Sequence, residues 1–282
     1  SEMCIRDRPE AIYERFQADI QPYVTGNLHP RFMGWVHGGG NPVSMLAELL
    51  AGAMNANCGG RDHVGIAVER QVIAWAAQML GMPAGTSGVL LTGSSMANFC
   101  ALLCARQKAL GEAGHETGVS FSKLVAYASA GVHRCVTGAM DMAGLGRAAL
   151  RKIPLDAQMR MDMAALRAAI AADQAAGLTP FLIAATAGSV DTGAFDDLIE
   201  ARRIADAHGL WFHVDGAFGA LAALSPAKRH LVEGLGAADS IAFDFHKWAQ
   251  VTYSCGCLLV RDAAIHNASF AQATSYLSLI HI

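Results

Sequence analysis

The chain has 282 residues, enough to bury a sizeable core as one large α/β domain or two small ones. Hydrophobic residues make up 53% against 16% charged, which predicts extensive burial and a subunit interface, yet no apolar run approaches the roughly 20 residues a membrane helix needs. A net charge of −3 gives no basic footprint for nucleic acid, and seven scattered cysteines among apolar neighbours read as reduced core thiols of a cytoplasmic protein.

In chain order, residues 9–23 read as a helix because Ile12, Phe16 and Ile20 recur at fourfold spacing. Gly38, Gly39 and Gly40 close an irregular segment, Asn41-Pro42 opens a turn or helix start, and residues 45–54 form an apolar helix. An amphipathic helix follows over 64–80. Val89, Leu90 and Leu91 make a strand, Gly93-Ser94-Ser95 a tight turn, and residues 96–107 the next helix. A turn of small residues feeding a helix N-terminus presents free backbone N–H groups and the positive end of the helix dipole, which suits a phosphate. The hydroxyls of Ser94 and Ser95 add donors, although Ser95 equally suits plain helix capping. Neither a P-loop nor a dinucleotide fingerprint is present at this turn.

Residues 123–128 form a strand, and a helix begins near Gly131 with His133 in its first turn, a usual place for a surface or capping histidine. A short strand over 148–154, an alanine-rich helix over 162–176 and a buried strand over 180–186 come next. Gly188 and Gly193 shape a loop, and Asp196 caps a helix over 197–208. Trp211 to Val214 is a buried strand ending at Asp215, broken off by Gly216 and Gly219. Alternation sets Trp211, His213 and Asp215 on one face, Phe212 and Val214 on the other. Ile241, Ala242 and Phe243 make another strand with His246-Lys247 past its end, then a last strand covers 257–260 and a helix 261–273. In an open α/β sheet, ligands sit beyond the carboxyl ends of the strands, where the acid at 215 and the amine at 247 both project. Cys255-Gly-Cys257 lacks a second cysteine pair, and His208, His213, Asp215 and His246 form no compact ligand pattern, so no metal is expected.

An acid closing one strand and a lysine just beyond another is what a pyridoxal 5'-phosphate (PLP) site requires. HVDGAFG from His213, ADS from Ala238 and DFHKW from Asp244 resemble the group II PLP-dependent amino-acid decarboxylases, the relatives of aromatic-amino-acid and glutamate decarboxylase. The likeness runs, with its motifs in the family's order, from about His29 to about Arg261. It implies an aspartate-aminotransferase-type (fold type I) large domain: α/β, with a mainly parallel central sheet flanked by helices. That domain is expected over 29–276, after an N-terminal segment 1–28 and without the family's small C-terminal domain. The first eight residues and the tail 277–282 do not resemble the family and are expected to be non-native.

The resemblance further implies roles for single residues. Lys247 forms the imine with the PLP aldehyde, and Asp215 bonds the pyridine nitrogen. His133 stacks on the ring and assists proton transfer, and Ala217 lies on the opposite ring face, where only a small side chain fits. Ser94, Ser95 and His246 are implied at the phosphate. Ser189 is the cofactor contact remaining in a loop where the family often carries a second threonine and this chain has Val190. Trp35, Val36 and His37 are implied in the substrate pocket, and a homodimer follows because the family builds its site across two subunits. The implied reaction converts an L-amino acid to its amine and CO2. The alternatives are another fold type I PLP enzyme (aminotransferase, aldehyde synthase or C–C lyase) or a noncatalytic PLP-binding fragment.

Overall fold

The computed structural model describes residues 8–57 and 63–270. The expected non-native stretches at 1–7 and 277–282, the expected domain end at 276 and the last residues of the closing helix lie outside the described residues. The chain divides into two units, one up to Trp35 and one from Val36 on. In the first, α1 (Pro9–Asp19) begins with proline at N1, where a missing N–H costs nothing, and none of its residues is buried. A short 3-10 turn follows at Gln21–Tyr23, so the expected helix breaks at Ile20.

The second unit holds the helices α2 (Pro42–Met54), α3 (Val64–Met79), α4 (Ser94–Leu110), α5 (Ala113–Glu116), α6 (Arg134–Met142), α7 (Met163–Ala175), α8 (Leu198–His208) and α9 (Ala263–Phe270). Its strands are β1 (Ser87–Leu91), β2 (Leu124–Ser129), β3 (Leu150–Ile153), β4 (Thr179–Thr186), β5 (Trp211–Asp215), β6 (Ser240–Asp244) and β7 (Gly256–Val260). They form one sheet in the order β1-β7-β6-β5-β4-β2-β3. Only β7 runs against its neighbours; the other pairings are parallel. The carboxyl ends of β1, β2, β4, β5 and β6 therefore share one edge. Every residue of β2, β5, β6 and β7 is buried, as expected for strands covered on both faces.

The alternation read in β5 sorts its side chains between two cores. Phe212 and Val214 join Ile73 of α3, Leu166 and Ile170 of α7, and Ile204 of α8. Trp211 joins Ala97 and Leu102 of α4 with Val136 and Met140 of α6. Truncating a fully buried side chain such as Ile204 or Leu102 to alanine costs about 2–5 kcal/mol at such sites.

The helix starts differ from expectation in three places. The cap of α8 is Asp197, whose side chain accepts the Glu200 N–H at 3.0 Å. Asp196 is buried instead and accepts the N–H groups of Met161 at 2.6 Å and Thr186 at 2.8 Å, so it ties the end of β4 to a neighbouring loop. Second, α4 starts at Ser94 with Gly93 as its cap, and Ser95 has no capping role. Third, His133 is the cap of α6 rather than part of its first turn, with Nδ1 accepting the Cys135 N–H at 3.3 Å. Among the described residues no helix is long and apolar enough to cross a membrane.

Candidate active site

Asp215 closes β5 in full burial, and Oδ1 accepts the Ala217 N–H at 3.2 Å. Burial pushes its carboxyl pKa up; the Ala217 N–H, the charges of Lys247 and His133, and an Asn98 hydrogen bond all pull it back. Lys247 and His133 both act on this one carboxylate at the shared strand edge. Yet among the described residues none comes within ion-pair distance of Asp215, and a buried acid lacking a direct cation is costly.

Lys247 lies in the turn after β6, with Nζ 2.8 Å from Asp244 Oδ2. Asp244 is the last residue of β6 and is itself buried. Its carboxylate also accepts the Ser94 N–H at 2.6 Å and the Ser94 hydroxyl at 2.7 Å. One acid therefore bridges the lysine and the positive end of α4, where a negative charge is favoured. The sequence analysis gave Asp244 no role, although its signal matches that of Asp215: a lone charge closing an apolar strand. Ser94, expected at a phosphate, directs both of its donors to this carboxylate. Ser95 is exposed at the same turn and hydrogen-bonds the Cys135 thiol, whose pKa burial raises to about 11.

His246 is buried, with Nδ1 accepting the Cys255 N–H at 2.9 Å and Nε2 3.7 Å from Asp244 Oδ2. Burial lowers its pKa, Asp244 opposes that, and the Lys247 charge adds to it, so the ring is held neutral with its proton on Nε2. Two close approaches fix the surrounding backbone. A Cβ at Gly256 would lie 2.4 Å from Gly93 Cα, so β7 runs beneath the turn that starts α4. A Cβ at Gly38 would lie 2.3 Å from the Lys247 carbonyl oxygen. The Gly38 N–H donates to the His246 carbonyl at 3.0 Å, and Gly39 N–H to Gln250 Oε1 at 2.8 Å. Val36 and His37, both half-buried, precede these glycines. Trp35 belongs to the other unit, where it meets Phe32 edge-on with ring centroids 5.1 Å apart.

The loop after β4 brings Ser189 into burial, but its Oγ is 2.6 Å from Thr192 Oγ1 and accepts the Ala194 N–H at 3.1 Å. Ala217 is half-buried, and its carbonyl accepts the Asp244 N–H at 3.0 Å, linking the ends of β5 and β6. Thr186 escaped the sequence reading. It pairs in register with Asp215, so both side chains leave the same face of the sheet, and its buried hydroxyl has no partner among the described residues. An acid without a cation, an orphaned hydroxyl and a primary amine at one edge fit PLP, which brings a basic ring nitrogen, a phenolic oxygen and an aldehyde. Among the described residues no group of three acidic, cysteine or histidine side chains is placed to hold a metal ion.

Comparison with known proteins gives a consistent result. A family model described as "Pyridoxal-dependent decarboxylase conserved domain" matches residues 3–281. An aromatic-L-amino-acid decarboxylase of Bos taurus is 35% identical over 290 residues, covering 96% of this chain and 58% of its own. The glutamate decarboxylase domain of a Vibrio parahaemolyticus diaminobutyrate-pyruvate transaminase and L-2,4-diaminobutyrate decarboxylase superposes with a TM-score of 0.89 at 28% identity, over 95% of this chain and 60% of that one. Oryza sativa TDC solved with PLP and tryptamine also gives 0.89 at 28% identity, over 98% and 59%. The chain thus spans less than two thirds of the relatives it matches.

Proposed function

The chain belongs to the pyridoxal-dependent decarboxylase family, and from that premise we propose that the complete protein removes the carboxylate of an L-amino acid, releasing the amine and CO2. The observation that carries this reading is Asp215, a buried acid with no ion-pair partner among the described residues, on the same edge as the Lys247 amine. PLP, when bound, supplies an electron sink for the pair that departing CO2 leaves on Cα.

The chain's own residues bind, orient and move protons. Asp215 holds a proton on the ring nitrogen and gains there the cation it lacks. Lys247 tethers the cofactor through Nζ, which must first leave Asp244; Asp244 then remains bonded to Ser94 at the start of α4. We assign the phosphate to Ser94, Ser95 and His246. Because Ser94 already serves Asp244, most of that task falls to Ser95 and to the His246 Nε2–H. His133 would hold the ring and assist proton transfer, Ala217 would leave space for it, and Ser189 and Thr186 would offer it polar groups from the end of β4. Val36 and His37 border the substrate, for which the names of relatives favour an aromatic side chain.

The protein is proposed to be a cytoplasmic homodimer. Helix α2 supports the dimer, since Met45, Leu46, Leu49, Leu50 and Met54 are all exposed and nothing in the helix is buried. The described cysteines are free, which fits a reducing compartment. The test is the complete gene product, loaded with PLP and given a panel of L-amino acids. Amine and CO2 in equal amounts support the reading; a keto acid or an aldehyde as main product rejects it.

A further inference from the structure

Next to Asp215, on its own face of β5, lies a file of buried polar groups to which the reaction above gives no task. Trp211 Nε1 is 2.8 Å from Ser240 Oγ, which is 2.8 Å from His213 Nδ1. On the other side of the imidazole, Nε2 is 2.6 Å from Asn98 Oδ1. The Asn98 amide also pulls the Asp215 carboxyl pKa down, and its Nδ2 lies 3.4 Å from Cys135 Sγ. Trp211, Ser240, His213 and Asn98 come from β5, β6 and α4, and each is buried.

The donors in this file have one consistent arrangement. An indole N–H only donates, so Ser240 Oγ accepts it and directs its own hydrogen to His213 Nδ1. The imidazole then carries its proton on Nε2 and gives it to the Asn98 carbonyl oxygen. That leaves the amide N–H groups of Asn98 for Cys135 and for the pull on Asp215. Every proton from Trp211 through His213 points toward Asn98. Burial lowers the His213 pKa to about 4, so the ring stays neutral and keeps this tautomer. Apolar residues would fill the same space without the cost of desolvating an imidazole and an amide.

We propose that Asn98, His213 and Ser240 are positioning residues that keep the Asp215 carboxylate ionised and aimed at the cofactor's ring nitrogen, an inference that rests on the PLP reading above. A buried acid otherwise favours its neutral form, and an N–H aimed at the carboxylate favours the charged one. The other groups acting on Asp215 are Lys247, His133 and the Cys135 thiol. Neither Lys247 nor His133 bonds its oxygens directly, so the Asn98 amide is the group that joins the Ala217 N–H in setting the carboxylate's state.

The test titrates the complete gene product with PLP and, separately, with its 1-deaza analogue, in which carbon replaces the ring nitrogen. Wild-type protein is expected to prefer PLP. In Asn98→Leu and Ser240→Ala that preference should shrink by roughly tenfold, the equivalent of one pKa unit at Asp215. Loss of packing alone would weaken both ligands equally, so equal losses overturn the inference, as do variants that keep the full preference. Should Asn98→Leu fail to fold, Ser240→Ala decides alone, because it removes one oxygen and adds nothing. A wild-type protein that binds neither ligand overturns the functional reading and this inference with it; one that binds both equally overturns the inference only.

Discussion

Helices α2 and α4 are both rich in apolar residues, and they meet opposite fates. In α2 the only charged residue is Glu48, yet no residue of the helix is buried. In α4 the face toward the sheet buries Ala97, Ala101, Leu102 and Ala105 together with the polar Ser94, Asn98 and Gln107. Apolar content states how much surface has to be covered, not what covers it. For α4 the cover is this chain's own sheet, and of the polar residues carried inward Ser94 meets Asp244 and Asn98 meets His213. For α2 it is expected to be a second molecule. The half of the site proposed to hold the cofactor is thus assembled within the chain, while the α2 side is exposed.

The strongest way to sharpen this contrast is Lys247→Ala. Turnover should fall by on the order of 10⁴ or more, and the visible absorbance that PLP acquires on bonding a lysine should vanish, with self-association measured by ultracentrifugation unchanged. Asp215→Asn should lower turnover by roughly 10²–10³, and it also carries a pH signature. Burial raises the folded-state pKa of Asp215, so its contribution to the stability of the cofactor-free protein is fully present below the unfolded value of about 4. That contribution is lost as pH rises from there through the raised folded value. Asp196, raised by burial too, adds a fall of the same sign. Asp215→Asn should flatten its share of the decline in melting temperature over that window; an unaltered slope would show that Asp215 does not titrate there.

The other helix is tested by Leu49→Glu, at an exposed position of α2. A dimer seated on this face should dissociate about thirtyfold more readily, equivalent to about 2 kcal/mol. A dimer of undiminished strength would break the contrast. An effect of the same size, on folding rather than association, is expected from Ser94→Ala, which removes one hydroxyl hydrogen bond to the buried Asp244 carboxylate. Urea unfolding should register a loss of about 2 kcal/mol.

Much of this could be read from the chain itself, because local pattern governs it. The alternation from Trp211 to Asp215 gave the two faces of β5, and glycines after strands marked the edge at which Asp215 and Lys247 project. What escaped the reading depends on partners remote in sequence. Ser94 and Asp244 lie 150 positions apart, and nothing near either residue announces the other. The neighbouring acids Asp196 and Asp197 are alike as local caps. Their roles separate only because Met161 and Thr186 bring N–H groups to the first. The file through His213 is equally nonlocal, since a lone histidine in an apolar strand carries no sign of Asn98 in a helix more than a hundred residues earlier.

The contact at Gly38 has a mechanical consequence. With no space for even a methyl group against the Lys247 carbonyl, the segment bearing Val36 and His37 is riveted to the peptide of the reactive amine. On the proposed reading, any shift that a substrate imposes on that segment is transmitted to the Lys247 backbone without slack, which gears recognition of the amino acid to the aim of the amine. Alanine at this position would strip that gear while leaving every charged group in the cleft intact.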